Sequence, residues 1–248
     1  MILVVGDSCR DVFIYGDCKR ICPEAPVPVF NPLPEEVQTA GMAGNVVRNI
    51  EALGEEVVFF RPALVPIKTR YIDKKTNQML LRVDEFDECR RITKKELTQI
   101  KKMTKHTDTV VISDYNKGFL LEEDIECISS YFKYSFMDTK KILGSWANGV
   151  TFIKLNNTEY NVTKNTLDSI KNISEKLIIT LGEDGCCYKG KIYPVTEKIQ
   201  TMDVSGAGDT FHSAFTVEYM KSKDIEKAII FAQECTNQVI MKKGVATV

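Results

Sequence analysis

Residues Asp203 to His212 read D-V-S-G-A-G-D-T-F-H, two glycines around an alanine with a carboxylate directly after them. Apolar residues follow at Phe211, Ala214, Phe215 and Val217, a spacing that predicts a helix starting near Gly206. The first N–H groups of a helix have no intrahelical partner and lie at the positive end of its dipole, so small residues there admit an anion such as a phosphate. Asp209, placed in that first turn, is suited to accept a proton. The same letters also fit a plain glycine-containing turn that leads into a helix. The choice rests on what the remaining elements bring to it.

With 248 residues and 44% hydrophobic content the chain can bury a substantial core. Thirty-three basic residues against 34 acidic ones leave a net charge of −1 without a long basic run, which speaks against a nucleic-acid partner. No stretch reaches the roughly 18 apolar residues of a membrane helix. Met1 runs straight into Ile2-Leu3-Val4-Val5 with no leader pattern, so the expectation is a cytoplasmic protein with no membrane partner. The eight cysteines lack the C-x-x-C pairs of a zinc site and read as reduced thiols. Cys18 and Cys22 would hold a metal only with two further ligands, and Cys186-Cys187 reads as strand.

The positioning elements follow from pattern. Ile2–Val5 is a buried first strand running into Gly6-Asp7. Prolines at 23, 26, 28, 32 and 34 keep the next segment extended, as an edge strand or lid. A helix over Val46 to Leu53, capped by Gly54, precedes a strand at Val57–Phe60. Thr69–Ile72 and Met79–Val83 flank a polar turn and form a hairpin, which joins the proline-rich stretch in one small sheet. Helices near 93–105 and 121–131 alternate with strands at Thr109–Ser113 and Tyr134–Met137. Thr151–Lys154 and Leu177–Thr180 are further strands, with a short helix opened by Asn156 or Asn157 between them. Gly182–Val195 reads as a hairpin, and helices near 207–221 and 224–241 close the chain. Such alternation predicts an α/β fold, a mostly parallel sheet with helices on both faces. One domain over 1–248 is expected, with lid segments at about 12–34 and 67–88.

Several stretches together resemble one family. They are V-V-G-D-S-C-R-D-V-F-I-Y-G-D-C-K-R-I-C-P-E-A-P-V-P-V at 4–29, A-G-M-A-G-N-V-V-R-N-I-E-A-L-G at 40–54 and S-D-Y-N-K-G at 113–118. To these are added the N-x-x-E of Asn156 and Glu159, T-L-G-E-D-G at 180–185, D-V-S-G-A-G-D-T, and the terminal K-x-G-V-A-T-V. The chain resembles the ribokinase-like, or phosphofructokinase-B, sugar kinases, and among them the bacterial D-glycero-β-D-manno-heptose 7-phosphate kinases of ADP-heptose synthesis. The resemblance implies a three-layer α/β/α sandwich with a small β lid, and phosphoryl transfer from ATP, with Mg²⁺, to a sugar or sugar-phosphate hydroxyl.

The resemblance also implies roles. Asp209 is the base, and the N–H groups of Gly206, Ala207 and Gly208 form the hole for charge developing on the transferred group. Asn156 and Glu159 organise Mg²⁺ and its waters, although as an isolated pair they read first as a capping box. Thr180, Gly182 and Gln233 line the nucleotide groove. Asp11 and Asn45, with Gly41, hold sugar hydroxyls. A phosphorylated acceptor needs cations, for which Lys117, Lys140, Arg20 and Arg82 are candidates. Lid strands of such kinases pair between subunits, so a homodimer is a further expectation. No G-x-S-x-G, Walker or protein-kinase glycine motif competes.

Three departures bear on substrate. Met42 stands where the family has a second glycine, the connection from Phe60 to Thr69 is short where a helix and strand are usual, and Gln233 replaces an Asn beside the adenine. No nucleotidyltransferase domain follows Val248, so the expectation is that a separate enzyme completes ADP-heptose. The other reading these departures leave open is a sugar-phosphate-binding or regulatory protein on a shortened scaffold, or a kinase for another hexose phosphate or a nucleoside.

Overall fold

The computed structural model describes residues 1–195, 203–242, 244 and 246–248; Lys243 and Val245 of the terminal motif lie outside the described residues. The chain opens with β1 (Ile2–Gly6), and alternate side chains of this strand enter opposite cores. Leu3 and Val5 point to one face. There they join Val110 and Ile112 of β7 (Thr109–Asp114), Met137 of β8 (Tyr134–Thr139) and Ile153 of β9 (Phe152–Asn156), under α2 (Lys94–Met103) and α3 (Glu122–Tyr131). Ile2 and Val4 point the other way. They pack with Phe136 and Phe152 under α1 (Ala43–Ala52), α5 (Ala207–Ser222) and α6 (Ile225–Ile240). A strand buried on both faces reads as a continuous apolar run, which is why these strands are legible in the sequence.

The large sheet also contains β4 (Val57–Phe60), β10 (Leu177–Thr180), β11 (Cys186–Tyr188) and β12 (Lys191–Tyr193), in the order β12-β11-β10-β9-β8-β7-β1-β4. Pairing is parallel from β4 to β10, and the β11–β12 hairpin is antiparallel, as expected for Gly182–Val195. The short helix after β9 is α4 (Asn157–Thr163), capped by Asn156. β4 forms the edge, and from Phe60 the chain passes directly into the lid.

The lid is a second sheet of β2 (Ser8–Ile21), β3 (Pro28–Met42), β5 (Ile67–Asp73) and β6 (Met79–Glu85), in the order β3-β2-β5-β6. Pro28, Pro32 and Pro34 lie on an edge strand, where the missing N–H breaks no ladder. The lid strands run further toward the body than the expected 12–34 segment. β2 starts at Ser8 and β3 continues to Met42, so Asp11 and Gly41 belong to lid strands. Residues 35–40, E-E-V-Q-T-A, are largely exposed and show no apolar period, which hides this strand from a reading of pattern.

Candidate active site

Gly206 caps α5 with φ 84°, the left-handed conformation glycine adopts without strain, and turns the chain so that Asp209 falls in the first helical turn. Asp209 is 5% exposed. The Tyr115 hydroxyl donates to its Oδ1 at 2.6 Å and the Asn45 amide to its Oδ2 at 3.0 Å. Burial pushes the Asp209 carboxyl up to about 6, against these two hydrogen bonds, which favour the ionised form. Asn45 is itself fixed. Asn49 donates to its carbonyl at 2.9 Å, Thr210 donates to Asn49 at 3.2 Å, and Ser213 donates to the Val46 carbonyl at 3.1 Å, which ties α1 to α5.

Beside this carboxylate lies a cavity of about 670 Å³ at the carboxyl ends of the parallel strands. Its wall includes Gly206, Ala207, Gly208 and Asp209, with Asn156, Thr180, Gly182 and Gln233. Residues from four separate stretches of the chain therefore converge. The Ala207 N–H is engaged with the Val204 carbonyl at 3.2 Å, which leaves the glycines as the more available part of the loop. At Gly208 a Cβ would stand 2.9 Å from the Lys154 ammonium, so glycine there lets that cation reach the helix start. Lys154 pairs with Asp138 at 2.7 Å, both buried. Burial works to raise the Asp138 carboxyl, but Lys154, Lys140 and His212 outweigh it and leave it below the ordinary range.

Asn156 and Glu159 form the reciprocal capping box: Asn156 Oδ1 accepts from the Glu159 N–H at 2.8 Å and Glu159 Oε2 from the Asn156 N–H at 2.7 Å. The other Glu159 oxygen receives the Lys140 ammonium. Among the described residues no three His, Cys, Asp or Glu side chains cluster as a metal site. Gln233 is buried and donates to the Tyr193 carbonyl at 2.6 Å, so its amide nitrogen is committed to the β12 end rather than turned into the cavity. Gly182 has φ 64° at the turn after β10, and a side chain there would meet open space.

On the lid side, Asp11 is 4% exposed and a Cβ at Gly41 would stand 2.0 Å from its Oδ2, so glycine is what gives this carboxylate room. Asp11 Oδ1 accepts from Arg70 at 2.6 Å. Met42, the departure from the family's glycine, is buried with φ 57° and ψ −132°, a conformation that costs a side-chain-bearing residue about 1–3 kcal/mol.

The four candidate cations separate. Arg82 lies on β6, paired with Asp84 through two hydrogen bonds and directly opposite Arg70 in the β5–β6 register. Lys140 lines the cavity beside Asp209, against Glu159 and 5.3 Å over the Tyr115 ring. Lys117 faces a wider cleft on the other side of Lys140 and is held by Asp87 at 2.5 Å. The Tyr115 and Lys117 N–H groups both bind Asp7 Oδ2, and Asn116 between them has φ 56°. Arg20 is exposed near the far end of β2 and lines none of these cavities.

Residues 127–248 match the pfkB family carbohydrate kinases. The chain is similar to the bifunctional protein HldE of a Nitratiruptor species, 30% identical over 99% of this chain and 62% of that protein. HldE of Helicobacter pylori is 30% identical over 99% of the chain and 64% of the relative. The chain thus spans about three fifths of these relatives' length, and the 291 aligned positions of the first exceed its own 248 residues, so that relative has segments the chain lacks. Among solved structures, Thermotoga maritima ribokinase superposes with a TM-score of 0.70 at 18% identity, covering 98% of this chain and 94% of that one. Phosphofructokinase-2 from Escherichia coli gives 0.74 at 15% identity, covering 99% and 94%. The fold is ribokinase-like.

At this site the sequence reading missed Tyr115, Arg70 and the Lys154–Asp138 pair. Lys154 left a signal, since a lysine inside the apolar run Phe152-Ile153-Lys154-Leu155 must find a buried partner. Tyr115 and Arg70 left none, because their partners lie 94 and 59 residues away.

Proposed function

We propose that the chain transfers the γ-phosphoryl group of ATP to a hydroxyl of a sugar phosphate, with the anomeric hydroxyl of D-glycero-β-D-manno-heptose 7-phosphate as the first acceptor to test. The observation that carries this is Asp209, a buried carboxylate held by two donors at the start of α5, on the wall of a cavity built from the nucleotide-side residues. ATP occupies that cavity, its phosphates toward Gly206–Gly208 and Lys154. Asp209 takes the proton of the acceptor hydroxyl as that oxygen attacks the γ-phosphorus, and ADP leaves. The glycine-loop N–H groups and the Lys154 and Lys140 ammonium groups offset charge on the phosphoryl oxygens.

Asn156 lines the cavity and Glu159 lies just behind it, where it already attracts a cation in Lys140, which fits a water-rich Mg²⁺ ion needing few protein ligands. When bound, the ion neutralises charge on the nucleotide phosphates. On the acceptor side, Asp11 and Asn45 receive sugar hydroxyls, with Gly41 leaving the space. Support for a phosphorylated acceptor comes from Arg70 and Arg82, like charges directly opposite each other on the lid, an arrangement that a phosphate between them would relieve. Lys117 and Arg20 drop out of this role.

The test is ADP release with ATP, Mg²⁺ and a panel of sugars and sugar phosphates, heptose 7-phosphate included. Turnover on a phosphorylated sugar is expected. Folded protein that binds ATP and turns over none of them would leave the alternative, a sugar-phosphate-binding protein on a kinase scaffold.

A further inference from the structure

Both oxygens of the Asp209 carboxylate are already held, and the two donors differ in kind. Asn45 projects from the interior of α1 and is locked by Asn49, so its amide is a fixed part of the wall. Tyr115 stands on the loop that follows β7 and itself lines the nucleotide-side cavity. Its phenol reaches Asp209 Oδ1 at 2.6 Å, the hydrogen-bond length and chemistry of an alcohol donating to a base. The loop is anchored through its backbone: the Tyr115 N–H goes to Asp7 Oδ2 at 2.9 Å, and that oxygen also takes the Lys117 N–H at 3.1 Å. Thus the backbone at 115 is pinned, and the ring, with Lys140 over one face, reaches Asp209 from that fixed point.

We infer that Tyr115 is a positioning residue whose hydroxyl stands in for the acceptor: without a sugar it fills the place on Asp209 Oδ1 that the acceptor hydroxyl takes, and so withholds the base from water. This rests on Asp209 being the base. The consequence is chemical. A kinase that holds ATP beside a poised carboxylate risks hydrolysis, in which a water oxygen attacks the γ-phosphorus, the water proton passes to Asp209, and ADP and inorganic phosphate leave. A phenol donates an O–H as an alcohol does, and more strongly, but it has no path to the γ-phosphorus, and an incoming sugar that binds Asp11 and Asn45 displaces it. The phenol has a further effect on the base, since a donated hydrogen bond favours the carboxylate. The charged and titratable groups around Asp209 are Tyr115, Asp138 of β8, Lys140 just beyond that strand, Lys154 of β9 and His212 one turn on in α5.

The experiment needs only ATP and Mg²⁺. In Tyr115→Phe, acceptor-free ADP release is expected to rise about tenfold over the parent, and the acid limb of its pH–rate profile to move to higher pH, because Asp209 loses a donor. An acceptor-free rate at or below the parent's, or an unmoved acid limb, overturns the inference. If Tyr115→Phe melts early, 3-fluorotyrosine at position 115 keeps the shape and strengthens the donor, so the limb moves to lower pH, and an unmoved limb again overturns it. Asp209→Asn separates the two readings. A variant that keeps full acceptor-dependent turnover removes Asp209 as base, whereas an inactive Asp209→Asn beside an unchanged Tyr115→Phe removes only the role given to Tyr115.

Discussion

The cavity beside Asp209 and the lid are built on opposite principles. Around the cavity, Asp209, Asn45, Asp138, Lys154 and His212 are all buried, held by helices α1 and α5 against parallel strands. On the lid, Arg82 and Asp84 pair at a partly exposed strand edge, and Arg70 is 20% exposed where it meets Asp11. Charges in a dry setting interact strongly and cannot reorganise, whereas exposed pairs are screened and exchange partners at small cost. The cavity is suited to chemistry, which needs fixed dipoles, and the lid to recognition, in which a ligand must replace existing partners. Met42 sits at the joint between them, in a strained conformation at the end of β3 and the start of α1.

The comparison breaks most visibly at Asp209, the proposed base. Asp209→Asn is expected to lower kcat by a factor of about 10² to 10⁴, the usual range for removing a general base, with ATP affinity retained. A variant that loses ATP binding as well would show that the carboxylate serves the cavity's structure first. On the lid, Arg70→Met is expected to raise the acceptor KM about tenfold with kcat nearly unchanged, by removing one of two facing cations and leaving Asp11 without its partner. A fall in kcat alone would place Arg70 with the chemistry. Gly41→Ala sets a Cβ against the Asp11 carboxylate and is expected to weaken acceptor binding by a smaller factor, read as KM, without changing ATP affinity.

Burial on the cavity side also has a pH signature. Burial pushes the His212 imidazole down to about 4, and its Nε2 has no hydrogen-bond partner. A depressed folded value means that this stabilisation is full above the unfolded pKa of about 6.5 and is lost as pH falls through 4, a change of about 3 kcal/mol. Asp209 acts in the opposite sense, since its raised value makes ionisation costly as pH rises through about 6. Chemical denaturation of the parent and His212→Gln between pH 7 and 4 is expected to show a flatter profile for the variant. The smallest effect expected is that of Arg20→Ala, with kcat and both KM values within about twofold of the parent; a larger change in acceptor KM would extend the recognition surface to the lid tip.

The legible parts of the fold share one property. Strands buried on both faces are apolar throughout, and helices with side-chain caps announce their starts, as at Thr93 with Glu96 and at Asp224. The lid strand β3 breaks that rule, because a sheet exposed over much of its surface imposes no apolar period. In the site, Gly206 to Asp209 can be named because a helix start open to an anion calls for their types, whereas Asn45, Thr180 and Gly182 are named through the family resemblance alone. Lys117 marks the limit of such reasoning: the pairing of its ammonium with Asp87, on the wider cleft, shows that its side chain leaves the cavity.

Residue order alone established the α/β alternation, the helix start at G-A-G-D, and the set of short-range motifs that resembles those of sugar kinases, because each depends on neighbours within a few positions. Folding determined which charges meet. Arg70 finds Asp11, Lys154 finds Asp138 and Tyr115 finds Asp209 through strand register and crossovers joining residues far apart in the chain. The energy of a buried charge depends on what surrounds it in space, and no spacing along the chain encodes that.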